Sequence, residues 1–149
     1  IDDNWQIVTH KLKEVEQLSD ALYELSRSIS IEYVKEWQKE LENEYEDIRH
    51  KFDKNGVYSF GLNICGIWVG CWAGDNDGNQ NQPYWGFWTE KKPTNKQIQM
   101  VEKILQACGK DTKLHIAEND FMDWGNTLHG ADRCREFYEA AIDLGFIEE

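Results

Sequence analysis

The spacing of apolar residues in this chain changes from a helical to a strand period at Asp53-Lys54-Asn55-Gly56, and that change dictates a mixed architecture. Before it, Val8, Leu12, Val15, Leu18, Leu22 and Leu25 recur every three or four residues, which places them on one face of a helix. Val34, Trp37, Leu41, Tyr45, Ile48 and Phe52 repeat the pattern. Ser26-Arg27-Ser28-Ile29-Ser30 separates the two runs, and serine side chains compete there with backbone hydrogen bonds. The spacing predicts helices over 5–26 and about 31–52, folded into an antiparallel hairpin with the two stripes facing each other. A continuous helix bent at the serines is the alternative.

After the turn the period is two. Tyr58, Phe60, Leu62 and Ile64 alternate with Ser59, Gly61 and Asn63, as in a strand with one buried face. A second strand, Ile67 to Ala73, alternates small aliphatics with Trp68, Gly70 and Trp72. A third, Tyr84 to Thr89, is aromatic on both faces. The short connections make these three an antiparallel meander. Thr94 with Gln97 forms a capping box for a third helix, with Ile98, Val101, Ile104, Leu105 and Cys108 as its stripe and Gly109 at its end. Residues 113–117 form a short fourth strand and 118–130 are irregular. A last helix over about 131–144 buries Cys134, Phe137, Tyr138, Ala141 and Leu144. The expected fold is a two-layer α+β domain of order ααβββα(β)α. At 149 residues it is a single domain, 1–149. The start at Ile1 rather than Met is read as that of a domain from a longer protein.

Charge narrows the partners. The net charge is −12. Generic nucleic-acid binding needs Lys and Arg to displace counterions from phosphates, and anionic membrane surfaces attract the same residues. The expected partner is therefore another protein with a basic or apolar surface. Clustered carboxylates on the second helix, Glu36, Glu40, Glu44 and Asp47, suit the first kind. The aromatic ribbon of Trp68, Trp72, Trp85 and Trp88 suits the second. The small aliphatics opposite Trp68 and Trp72 make the main core, leaving the Trp face partly covered by residues such as Phe121 and Trp124. Six lysines between 91 and 113 run against the overall charge and read as one solvated helix face.

Other chemistry finds little purchase. Cys65, Cys71, Cys108 and Cys134 lie in apolar contexts with no CxxC spacing, which reads as free thiols in a reducing, cytoplasmic setting. The four His fall in no metal-binding or catalytic pattern, and no run is long enough to span a membrane. Asp75-Asn76-Asp77-Gly78-Asn79 has acids where a calcium loop begins, but Gln80 and Gly86 stand where that loop needs Gly and Glu. Glu90-Lys91-Lys92, at the end of a strand, resembles the second half of the PD-(D/E)xK nuclease motif. The element order over 31–117 resembles that superfamily as well. The resemblance implies a second carboxylate beside Glu90 to share a divalent cation, with Lys92 as its partner in catalysis. Gly66 stands at that corner of the meander instead. The leading expectation is a non-enzymatic interaction or regulatory domain without a cofactor. A degenerate nuclease relative using Glu90 and Lys92 is the alternative.

Overall fold

The structure is a computed structural model and describes residues 3–74, 82–109, 115–116 and 121–148. It is an α+β fold in two layers, a sheet under helices. The elements are α1 (Asp3–Glu42), β1 (Ile48–Phe52), β2 (Tyr58–Ile64), β3 (Ile67–Ala73), β4 (Tyr84–Trp88), α2 (Asn95–Ala107), β5 (His115–Ile116), β6 (Phe121–Asn126) and α3 (Gly130–Asp143).

Several expectations are corrected here. The helical hairpin is a single helix of 40 residues, unbroken through Ser26–Ser30. Ser30 is buried against the domain, so tertiary packing overrides the weak local preference of serine. Residues 48–52 leave the helix altogether and form β1, an edge strand paired antiparallel with β2. The meander grows accordingly to six strands in the order β1-β2-β3-β4-β6-β5. The stretch expected to be irregular contains β6, which pairs antiparallel with β4 and carries the two-residue β5 on its other side.

The turns follow local chemistry. Asp53 closes the β1–β2 hairpin by accepting hydrogen bonds from the backbone of Asn55 (2.8 Å) and Val57 (2.9 Å), and Gly56 supplies the positive φ of 81°. Cys65 and Gly66 turn β2 into β3 with φ of 52° and 86°, a two-residue turn that matches strand twist. Thr94 caps α2, accepting from the Gln97 amide while the Gln97 side chain accepts from the Thr94 amide.

The core lies between one sheet face and the helices. Tyr58, Phe60, Leu62 and Ile64 of β2 pair with Ala73, Cys71, Val69 and Ile67 of β3, and Phe87 of β4 continues the face. Val34, Trp37 and Leu41 of α1, Met100, Val101, Ile104 and Leu105 of α2, and Ala131, Cys134, Phe137 and Ala141 of α3 cover it. A polar knot around the buried Gln38 and Tyr58 ties α1 to the sheet edge. Gln38 accepts from the Tyr58 hydroxyl, donates to Glu42 at 2.7 Å and faces His50 Nδ1 at 3.2 Å. No described helix is long and apolar enough to cross a membrane.

The first half of α1 takes no part in this core. Every described residue from 4 to 22 is exposed. Leu12, Val15, Leu18, Leu22 and Leu25, expected to pack inside a hairpin, are 57–63% exposed. Arg27 marks where the helix meets the domain, donating to the Asn55 carbonyl at 2.9 Å.

Candidate functional site

Strand register sorts the aromatic residues into two groups. Side chains alternate along a strand, so residues three apart in β4 face opposite ways. Trp85 pairs with Cys71 and faces the helices, edge-on to Phe137 at 6.4 Å. Its indole nitrogen is buried without a hydrogen-bond partner among the described residues. Trp88 pairs with Trp68, and Tyr84 with Trp72, on the opposite face. The structure thus brings Trp68, Trp72 and Trp88 together with Tyr84 and leaves Trp85 on the core side.

That opposite face has a regular plan. Gly61, Gly70 and Gly86 lie side by side across β2, β3 and β4, with Arg49 of β1 next in the row. Trp68 and Trp88 flank the row on one side, and Trp72 and Tyr84 on the other. The missing side chains leave room for the rings to lean inward. A Cβ on Gly61 would lie 3.3 Å from both Trp68 and Trp88. Gly70 has no room for a Cβ at all, because the backbone of Phe60 occupies the space. Trp72 stacks on Tyr84 (5.6 Å, 9° between planes) and meets Trp88 edge-on at 5.7 Å. The Arg49 guanidinium sits 5.6 Å from the Trp68 ring, within cation–π range. The result is an aromatic platform with a cationic rim. All four rings are half-buried, and no described helix lies over them. Cover from Phe121 and Trp124 falls on side chains outside the described residues.

The carboxylates are placed differently from the expectation. Glu36 and Glu40 lie on α1, but Glu44 and Asp47 lie in the connection after it. All four are exposed. Glu44 and Glu40 grip Arg135 of α3 at 2.8 and 3.1 Å, with Asp132 adding a third contact at 2.9 Å. The hydrogen bond that Arg135 donates to Glu44 and the surrounding negative charge hold the guanidinium protonated even more firmly than usual, despite partial burial. Glu36 pairs with Lys39 one turn on, at 3.7 Å. Beside the clasp, Tyr45 donates to Glu139 at 3.1 Å and packs on Tyr138. Burial, then that hydrogen bond to a carboxylate, pushes the Tyr45 phenol well above its ordinary range.

Glu90 and Lys92 stand exposed in the connection between β4 and α2. The calcium-like loop at 75–79 lies outside the described residues. Cys71 and Cys134 are wholly buried with their sulfurs 3.8 Å apart, and burial pushes the Cys71 thiol up. That disfavours the reactive thiolate. Sequence reasoning missed a second feature, an apolar pocket of about 330 Å³. Leu22, Leu25, Ser26, Ile29, Ser30 and Tyr33 of α1 line it, with Gln82, Pro83 and Leu128 opposite. Its signal is the periodic stripe of α1, whose spacing suits a hairpin interface equally well. No family model, curated protein or solved structure matches the chain.

Proposed function

We propose that this chain is a protein-interaction module that presents the sheet face bearing Trp68, Trp72, Tyr84 and Trp88 to the apolar surface of a partner. One observation carries the reading. Three helices cover one side of the sheet, while Trp68, Trp72, Tyr84 and Trp88 lie half-buried on the other with no described helix over them. Tryptophan and tyrosine are the residues most enriched among those that dominate binding energy, and Arg49 at the rim belongs to the same class. Flat aromatic faces bury much area at low conformational cost. The net charge of −12 keeps such a face from generic phosphate backbones. Glu40 and Glu44 already serve Arg135, so the platform rather than the carboxylates is the surface with capacity to spare.

The test compares retention of a partner with stability. The immobilised chain is expected to hold a protein from extracts of its source organism. Trp72→Ala or Trp88→Ala should weaken that retention at least about tenfold, while Glu36→Gln leaves it unchanged. Undiminished retention by both tryptophan variants would remove the platform as the binding surface.

A further inference from the structure

The exposed half of α1 has a pattern more specific than amphipathicity. Val8, Val15, Leu22 and Ile29 recur every seven residues, and Lys11, Leu18 and Leu25 fall three after the first three of them. These are the a and d positions of a heptad seam, with β-branched residues at three of four a positions. The flanking positions are small or apolar in the middle of the seam: Ser19, Ala21, Ser26 and Ser28. At 100° per residue, this seam lies about 100° around the helix from the stripe of Val34, Trp37 and Leu41 that packs on the sheet. It is therefore not an overrun of the core stripe but a second surface pointing elsewhere. Its members Val8, Val15, Leu18, Leu22, Leu25 and Ile29 are 48–63% exposed.

We infer that this seam pairs with the same seam of a second copy of the chain, antiparallel, to form a dimer. The inference goes beyond the platform reading and stands or falls without it. Charge selects both the occupant and the direction. Residues 3–29 carry five acids against three bases, whereas 32–47 carry seven acids against two bases. The arm is thus the part of α1 that can meet its own copy with little repulsion. Parallel pairing would set Lys11 against Lys11 and the acidic 32–47 segments side by side. Antiparallel pairing separates the acidic segments by roughly the length of the arm, about 36 Å, well beyond a Debye length of about 8 Å. It sets Leu18 opposite the second copy's Leu22 and Val15 opposite its Leu25, and brings Lys11 within one turn of its Glu32. Ala21 then meets Ala21 near the two-fold axis, where small side chains let the helices approach. The pocket at the foot of the seam gains an occupant in the same register. Tyr33 and Ile29 line it, and the second copy's Trp5, Ile7 and Val8 arrive beside them.

Area fits a modest but specific contact. The arm's apolar side chains, about half exposed, hold on the order of 400–500 Å² per copy. Two copies approach about 1,000 Å², the threshold of a specific interface. The dimer should therefore dissociate on dilution within the micromolar range.

The experiment is light scattering of the whole chain across a concentration series, with cysteine cross-linking in a Cys65→Ser background. Wild type should move from the single mass of 17.5 kDa to twice that value as concentration rises. Leu18→Glu with Leu22→Glu should stay at the single mass throughout, while Trp72→Ala dimerises as wild type does. Ala21→Cys should form a covalent dimer under mild oxidation, and Leu25→Cys should not. A wild-type chain monomeric at hundreds of micromolar, or a double variant that still dimerises, overturns the inference. Cross-linking through Leu25→Cys but not Ala21→Cys overturns the antiparallel arrangement.

Discussion

The two halves of α1 share one backbone and nearly the same apolar spacing, yet they meet opposite environments. From Ser30 onward, Val34 and Leu41 are sealed against the sheet at 0% exposure and Trp37 joins them. Before Arg27, residues of the same kinds at the same intervals stand in the open. Periodicity thus reports which side of a helix is apolar, and says nothing about what covers that side. In the second half the cover is the domain itself, and the Gln38–Tyr58 bond fixes the rotation of the helix on the sheet. In the first half only Leu22 and Leu25 of the stripe face the domain, across the pocket from Pro83 and Leu128, and both stay more than half exposed.

This contrast can be broken by measurement. Leu41→Ala should cost about 2–5 kcal/mol in a urea melt, because it opens a cavity in a closed core. A loss under about 0.5 kcal/mol would mean the second half of α1 is no better anchored than the first. Trp72→Ala should fall between the two halves. Its ring is half-buried but stacked on Tyr84 and edge-on to Trp88, so a loss of about 1–2 kcal/mol is expected, short of the about 3–5 kcal/mol of a sealed tryptophan. A loss at the upper end would make the platform ordinary core.

The α1–α3 clasp gives a pH-dependent check on the anchored half. The Tyr45 phenol is raised in the folded chain by burial and by Glu139, and burial and Glu42 raise Tyr58 as well. A raised folded pKa means the native state holds its proton after the unfolded chain has lost it. The stability it contributes is whole below the unfolded value of about 10 and is lost as pH rises beyond it. Thermal melts should show a fall above that pH, and Tyr45→Phe should flatten the fall while costing about 1 kcal/mol at neutral pH. An identical alkaline profile in the variant would exclude Tyr45 from the clasp. The smallest effect belongs to the arm. Leu22→Ala should change the global unfolding energy by less than about 0.5 kcal/mol at concentrations where the chain is monomeric. A loss of 2 kcal/mol or more there, in the range typical of a buried leucine at about 2–5, would place Leu22 in the core and close the gap between the halves.

The elements read correctly from sequence were those whose signals are local. The Thr94–Gln97 box and Gly109 bracket α2 because capping chemistry acts within one turn. The alternation in β2 and β3 separated the aliphatic face from the Trp68–Trp72 face because strand parity is fixed by geometry. Errors arose where one spacing fits two periods. Ile48 and Phe52 are four apart, which suits a helix face and equally the same side of a strand, and pairing with β2 decides for the strand. In β6 the sequence Phe-Met-Asp-Trp-Gly-Asn alternates by no simple rule, so its place beside β4 follows from tertiary pairing. Trp85 was grouped with Trp88 by residue type, although a separation of three already puts them on opposite sides. The ion pairs of Glu40 and Glu44 are not legible locally, because their counterion, Arg135, is more than ninety residues away in the chain.

Arg27 gives the arm a mechanical meaning. Its guanidinium lies against Gly56, where a Cβ would meet it, and bonds to the Asn55 carbonyl, so the helix touches the β1–β2 turn just where it leaves the domain. A stiff rod held at one such fulcrum is a lever. With about 36 Å between fulcrum and tip, a tilt of about 10° at Arg27 swings the first turn through about 6 Å. Force applied near Trp5 is likewise delivered, magnified, to the edge hairpin that begins the sheet. A pull on the arm therefore reaches the turn at Asp53–Gly56 through Arg27 and the core through Val34, Trp37 and Leu41.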